Sequence, residues 1–149
     1  MRLLVTTQAV DLDDPVLGFF HAWIAALAKQ FDQVHVICLK EGRHELPANV
    51  RVHSLGKERG RSRFKYLWRF YRTIYALRHD YDSVFVHMNS EYVCLGGMFW
   101  KQWSKRIVLW RNHKLPGFST WIAVHLADAV CHTSASAYVS RFANAVRMP

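Results

Sequence analysis

The stretch Val84-Phe85-Val86-His87-Met88-Asn89 decides how this chain folds. Its apolar residues, two of them β-branched, read as a short buried strand. The strand ends in a polar cluster. The same pattern recurs in both directions along the chain. Met1–Thr7, Gln33–Leu39, Arg106–Trp110 and Ala129–His132 are further apolar runs. Their exits read Thr6-Thr7-Gln8, Lys40-Glu41, Asn112-His113-Lys114 and Thr133-Ser134. Asn49–Leu55 adds another strand. Helical stretches lie between the strands, so the alternation predicts an α/β, doubly wound, mainly parallel Rossmann-like sheet with helices on both faces. In such a sheet ligands bind beyond the carboxyl ends of the strands. The strand-exit clusters are therefore where function is sought.

The helices follow from period and turn signals. Asp14-Pro15 opens a helix expected over about Leu17–Gln30, with Phe20, Trp23, Ile24, Leu27, Ala28 and Phe31 on its inner stripe. Lys57–Asp80 is expected to be helical, with Phe64, Leu67, Trp68, Tyr71, Ile74 and Tyr75 facing inward. Further helices are expected over Glu91–Ser104 and Trp121–Ala127, and a closing helix over Ser134–Phe142. No repeat or linker interrupts this order, and residues 1–149 read as a single domain.

A hydrophobic content of 51% over 149 residues excludes a disordered chain. Twenty Lys and Arg against eleven Asp and Glu give a net charge of +9, which favours an anionic partner. Three cysteines without a CxxC pair read as buried thiols of a cytoplasmic protein. No signal peptide is expected at the start, and the run Tyr92–Trp100 is about half of the ~20 residues a spanning helix needs.

No GxGxxG or GxxxxGK[ST] motif occurs, which argues against a dinucleotide site or an ATPase-type phosphate loop. Gly18 in the first loop could bring helix-start amides to a phosphate, or could simply let the helix approach the sheet. His87 and His113 end their strands beside Asn89 and Asn112. Taken singly, each reads more readily as a ring satisfied by nearby backbone; together on one rim they suggest a site. A metal centre from His87, His113, Cys131 and His132 lacks ligand spacing. Glu91 and Tyr92 begin a helix, where the carboxylate also suits the helix dipole.

The segment from Lys57 to Arg78 is rich in cations and aromatics. Arg61, Arg63, Lys65, Arg69 and Arg72 form a cationic surface suited to a membrane or another polyanion, and Tyr66 and Phe70 fall off the inward stripe. Such a helix suits the interface of an anionic membrane or the phosphates of RNA. A solvated helix face is the plain alternative.

With these segments in order, the chain resembles the N-terminal, acceptor-binding domain of a family 4 glycosyltransferase of GT-B fold. The carrying residues are Leu3–Thr7, Asp14-Pro15-Val16-Leu17-Gly18-Phe19-Phe20-His21, Leu27-Ala28-Lys29 before Val34–Ile37, Tyr81–Asn89, Trp110–Lys114, Ala127–Ser134 and Ala145–Pro149. The chain departs from the family in having only one glycine in the first loop, and the donor-binding second domain with its E-x(7)-E motif is absent. The resemblance implies a retaining, metal-independent transfer of a hexosyl group from a nucleotide-sugar, which is a substrate and not a cofactor. The acceptor would be lipid-linked or a polysaccharide. His113 would be catalytic and touch the donor sugar near its pyrophosphate, with Gly18 facing that pyrophosphate. His21, His87, Asn89, Glu91 and Tyr92 would line the acceptor side. The resemblance further implies that this chain alone is inactive; the basic-aromatic segment, with a lipid-linked acceptor to be met at a surface, places the protein in the cytoplasm, peripherally on the inner face of the cell membrane. A non-enzymatic basic module for RNA is the competing class, though no RNA-binding signature supports it.

Overall fold

A computed structural model describes all residues from Met1 to Pro149. Seven strands and four α-helices alternate along the chain. The strands are β1 (Arg2–Val10), β2 (Gln33–Glu41), β3 (Val50–Ser54), β4 (Ser83–His87), β5 (Arg106–Trp110), β6 (Ala129–His132) and β7 (Ala145–Arg147). The helices are α1 (Phe20–Ala28), α2 (Arg63–Ala76), α3 (Ser90–Gln102) and α4 (Phe118–Leu126). The residues divide into two compact units, Met1–Asp82 and Ser83–Pro149.

In the first unit the strand order is β3-β2-β1, with both pairings parallel. In the second it is β4-β5-β6-β7, again all parallel. This is the Rossmann-like α/β class expected. Leu3–Thr7 of β1 and Val34–Cys38 of β2 are buried without alternation, as strands covered on both faces must be.

Two strands run further than their apolar residues suggest. The ladder continues through Thr7↔Cys38, Ala9↔Lys40 and Val10↔Glu41, so the first loop begins at Asp11 and Thr6-Thr7-Gln8 is not an exit. Backbone pairing carries polar residues along wherever a neighbouring strand offers partners. Helix α1 begins at Phe20 and not at Leu17, because turns held by Asp14 occupy the preceding residues. Trp23 lies outside the core of that helix, which is Phe20, Ile24 and Ala28.

The expected helix over Lys57–Asp80 divides into a short 3-10 turn, Lys57–Arg59, and α2. Its inward face also differs from expectation. Phe70 and Ile74 are the buried residues, whereas Phe64 is 87% exposed and Trp68 61%. The closing helix expected over Ser134–Phe142 is only a 3-10 turn, Tyr138–Arg141. Ser134 Oγ instead receives the Ser136 amide in a local turn, which competes with helix formation.

Two asparagines finish helices in the same way. Asn49 donates to the carbonyls of Ala28 and Phe31 beyond α1. Asn144 donates to those of Val124 and Ala127 beyond α4. Each satisfies carbonyls that a helix end leaves without an internal partner.

Candidate functional site

The carboxyl-end rim of the second unit is knitted from strand exit to strand exit. The Met88 amide donates to the Trp110 carbonyl at 2.8 Å. Arg111 returns a bond from Nη1 to the Met88 carbonyl at 2.7 Å. Met88 itself has φ of 65°, a left-handed conformation that costs a non-glycine residue free energy and persists only where surroundings impose it. The turn places Asn89 at the start of α3, with Glu91 exposed in its first turn. Tyr92 is buried behind them. Ser90 Oγ lies 3.2 Å from Ser119 Oγ, so the first turns of α3 and α4 are joined.

His87 lies beneath this rim at 1% exposure. Its ring stacks on Trp110 with centroids 5.3 Å apart. Burial pushes the imidazole pKa down to about 4, so His87 is neutral at physiological pH. As placed, it supports the rim from below, and Asn89 and Glu91 are the members of its cluster that solvent can reach.

His113 stands exposed just beyond β5. The Leu115 amide donates to its Nδ1 at 3.2 Å. In the neutral ring the proton therefore sits on Nε2, which is left as an outward donor. The His113 carbonyl accepts the Tyr138 amide at 2.9 Å. Next to it, the Asn112 side-chain oxygen accepts the amides of Ser134 at 2.9 Å and Thr133 at 3.3 Å. Both partners lie about twenty residues further along the chain, so sequence spacing gives no hint of them.

Gly18 and His21 belong to the first unit. An added Cβ on Gly18 would lie 2.8 Å from the Asp14 carbonyl and 2.9 Å from that of Leu12. Close backbone approach thus accounts for the glycine. Its own N–H already donates to the Asp14 carbonyl. The Asp14 carboxylate takes the amides of Val16 and Leu17, and these bonds hold its pKa below the ordinary range. The Asp14 carboxylate thus takes two of the amides in the turn that precedes α1. His21 accepts the Glu45 amide on Nε2 at 3.0 Å. Asp11, the first residue after β1, is largely buried and paired with Lys40 at 3.3 Å.

The cationic surface is rearranged by the true orientation of α2. Arg61, Arg63, Lys65 and Arg72 are exposed. Arg69 instead turns inward, donating to the Leu55 carbonyl at 2.7 Å through space that a Cβ on Gly56 would occupy. Phe70 is core, and the Tyr66 hydroxyl donates to the Gly60 carbonyl. The exposed stripe is Phe64, Leu67, Trp68 and Tyr75, with the Arg72 guanidinium 5.2 Å from the Trp68 ring centre.

The three cysteines are free thiols, and burial raises the pKa of each, that of Cys38 to about 12. They are poor nucleophiles. His87, His113, Cys131 and His132 do not gather, and no three His, Cys, Asp or Glu side chains are grouped as metal ligands. No helix is long and apolar enough to cross a membrane.

A parallel α/β fold with polar groups gathered on a strand-exit rim defines the Rossmann-like class, in which ligands bind beyond the carboxyl ends of the strands. Within it, residues 14–127 match the model of the glycosyl transferase 4-like family, and the chain belongs to that family. No curated protein matches the sequence. Among solved structures, MurG from Acinetobacter baumannii is similar, with a TM-score of 0.66 at 12% identity, over 99% of this chain and 45% of that one. UDP-GlcNAc 2-epimerase from Methanocaldococcus jannaschii is similar with a TM-score of 0.59 at 14% identity, over 91% of this chain and 40% of that one. This chain thus spans less than half the length of these structures.

Proposed function

We propose that the chain is the acceptor-binding half of a retaining glycosyltransferase. It moves a hexosyl group from a nucleotide-sugar to a lipid-linked or polysaccharide acceptor. The observation that carries the reading is His113, an exposed imidazole beyond β5 whose Nδ1 is held by the Leu115 amide. That hold leaves Nε2–H to donate to an oxygen of the donor sugar or its diphosphate. As the anomeric carbon–oxygen bond breaks, the diphosphate leaves with the electron pair, and the acceptor hydroxyl passes its proton to the departing diphosphate oxygen as it bonds the same face of the sugar. A donor aimed at developing charge can be worth about 3–4 kcal/mol. Asn89 and Glu91 face the acceptor, with His87 and Tyr92 fixing the turn beneath them. The transfer uses no metal, and the nucleotide-sugar site lies mostly in residues outside this chain. Family membership supports the sugar-transfer class; the MurG likeness supports the fold.

The test is His113→Ala in the longest form of the protein, assayed with a panel of nucleotide-sugars. Transfer should fall by about 100-fold or more at unchanged melting temperature. Unchanged transfer removes His113 from catalysis. The 149-residue chain alone should transfer nothing.

The exposed stripe of α2 supports peripheral attachment to an anionic membrane, where a lipid-linked acceptor would be met. Apolar and aromatic side chains flanked by arginines suit the headgroup boundary, and each cation near such a surface contributes about 1 kcal/mol.

A further inference from the structure

A hollow of about 300 Å³ opens on the second unit, lined by Pro116, Gly117, Phe118, Trp121 and Tyr138. Phe118 is 78% exposed and Trp121 49%. Exposed aromatic rings ordinarily fold over one another or onto apolar surface. Here a chain of ring contacts holds the two walls in place. Trp121 lies 4.5 Å from His125, His125 meets Phe142 edge-on at 5.8 Å, and Phe142 meets Tyr138 edge-on at 5.5 Å. His125 Nδ1 also bonds the Trp121 carbonyl at 2.7 Å. The Tyr138 ring carries the Arg141 guanidinium 4.7 Å from its centre, and its amide bonds the His113 carbonyl. The walls are therefore ordered before any ligand arrives, which lowers the ordering cost of binding.

We infer that this hollow binds one pyranose ring of a glycan, a proposal that rests on the sugar-transfer reading and names its acceptor. The volume lies at the low end of ligand sites, roughly 300–1,000 Å³, and suits one ring better than an extended acyl chain. An aromatic face is electron-rich. A pyranose with equatorial hydroxyls offers it a patch of axial C–H bonds carrying partial positive charge, while its hydroxyls stay in water at the open rim. The Arg141 guanidinium, packed against the Tyr138 ring, supplies donors beside it. Through the Tyr138 amide the hollow is tied directly to His113, so a sugar seated there is held next to the residue proposed to act on the donor.

The test is saturation-transfer NMR on the full chain with methyl β-glucopyranoside, uridine and octanoate as separate probes. The glucoside should receive saturation, strongest on its ring C–H protons. Trp121→Ala and Tyr138→Ala should each weaken it by about tenfold. Trp121→Phe, which keeps an aromatic face, should retain binding and so separates stacking from collapse of the wall. Saturation of uridine or octanoate but not the glucoside overturns the inference. So does glucoside binding that survives Trp121→Ala. Transfer by the longer protein without glucoside binding here overturns the hollow alone and leaves the transfer reading standing. Glucoside binding that Trp121→Ala weakens, in a protein that transfers no sugar, does the reverse.

Discussion

The Asn112 side-chain oxygen accepts the Ser134 amide at 2.9 Å and, with Thr133, fixes the exit of β6 against the exit of β5. His113 is the next residue, so this bond also sets where the candidate catalytic ring begins. Asn112→Ala leaves two amides without that acceptor and should cost about 1–2 kcal/mol of stability. Asn112→Asp, which keeps an acceptor oxygen, should restore most of it. Urea titration reads both. Equal loss in the two variants would mean the bond contributes little.

Gly42 admits the Asp11 carboxylate. A Cβ there would lie 2.1 Å from the carboxyl carbon of Asp11, a side chain held by Lys40 and the Asp13 amide. Gly42→Ala must displace it and should cost about 1–3 kcal/mol. In an Asp11→Ala background the same substitution should cost much less. A double-mutant cycle measures the difference, and additive losses would place the strain elsewhere.

The buried histidines make the fold acid-sensitive. His87 has a folded pKa of about 4, below its unfolded value near 6.5. Its contribution is fully present above the unfolded value and is lost as pH falls through the window from about 6.5 to 4. The scale is on the order of 3 kcal/mol for that shift. His35 and His53 share a 3.0 Å ring contact, and burial lowers both, so they act in the same direction. NMR titration should show His87 neutral at pH 5. A His87 midpoint near 6.5 would contradict its burial.

The fold was legible because strands covered on both faces, such as Leu3–Thr7 and Val34–Cys38, carry apolar runs that few other structures use. The orientation of α2 was not. Phe64, Leu67, Trp68, Tyr71, Ile74 and Tyr75 read as one inward stripe, yet of these only Ile74 is buried, together with Phe70 from outside the stripe. Periodicity favours the richest stripe, but the fold turns the helix so that Phe70 and Ile74 pack inward, and Arg69 reaches the Leu55 carbonyl. On the rim, the residue types His113 and Asn89 were visible as strand-exit polar groups. The partners of Asn112 and the ring chain from Trp121 to Tyr138 arise from contacts between distant segments, and no local spacing encodes them.

The reorientation of α2 also changes which substitutions test membrane attachment. Phe64 and Trp68 are the side chains available to enter a headgroup layer. Phe64→Ser with Trp68→Ser should abolish co-sedimentation with anionic vesicles. Because both are exposed, stability should move by no more than about 0.5 kcal/mol. Replacing Arg61, Arg63, Lys65 and Arg72 with Gln should weaken the attraction and its salt dependence, since screening acts on exposed charges over about 8 Å at 0.15 M. Arg69→Gln belongs in a separate arm: it removes the bond to the Leu55 carbonyl and should cost about 1 kcal/mol of stability. Neutral vesicles should bind weakly or not at all. Unchanged sedimentation of the Phe64 and Trp68 variant would sink the membrane reading. Tight, salt-sensitive binding of RNA by the same surface, with no affinity for anionic vesicles, would replace it with a nucleic-acid role.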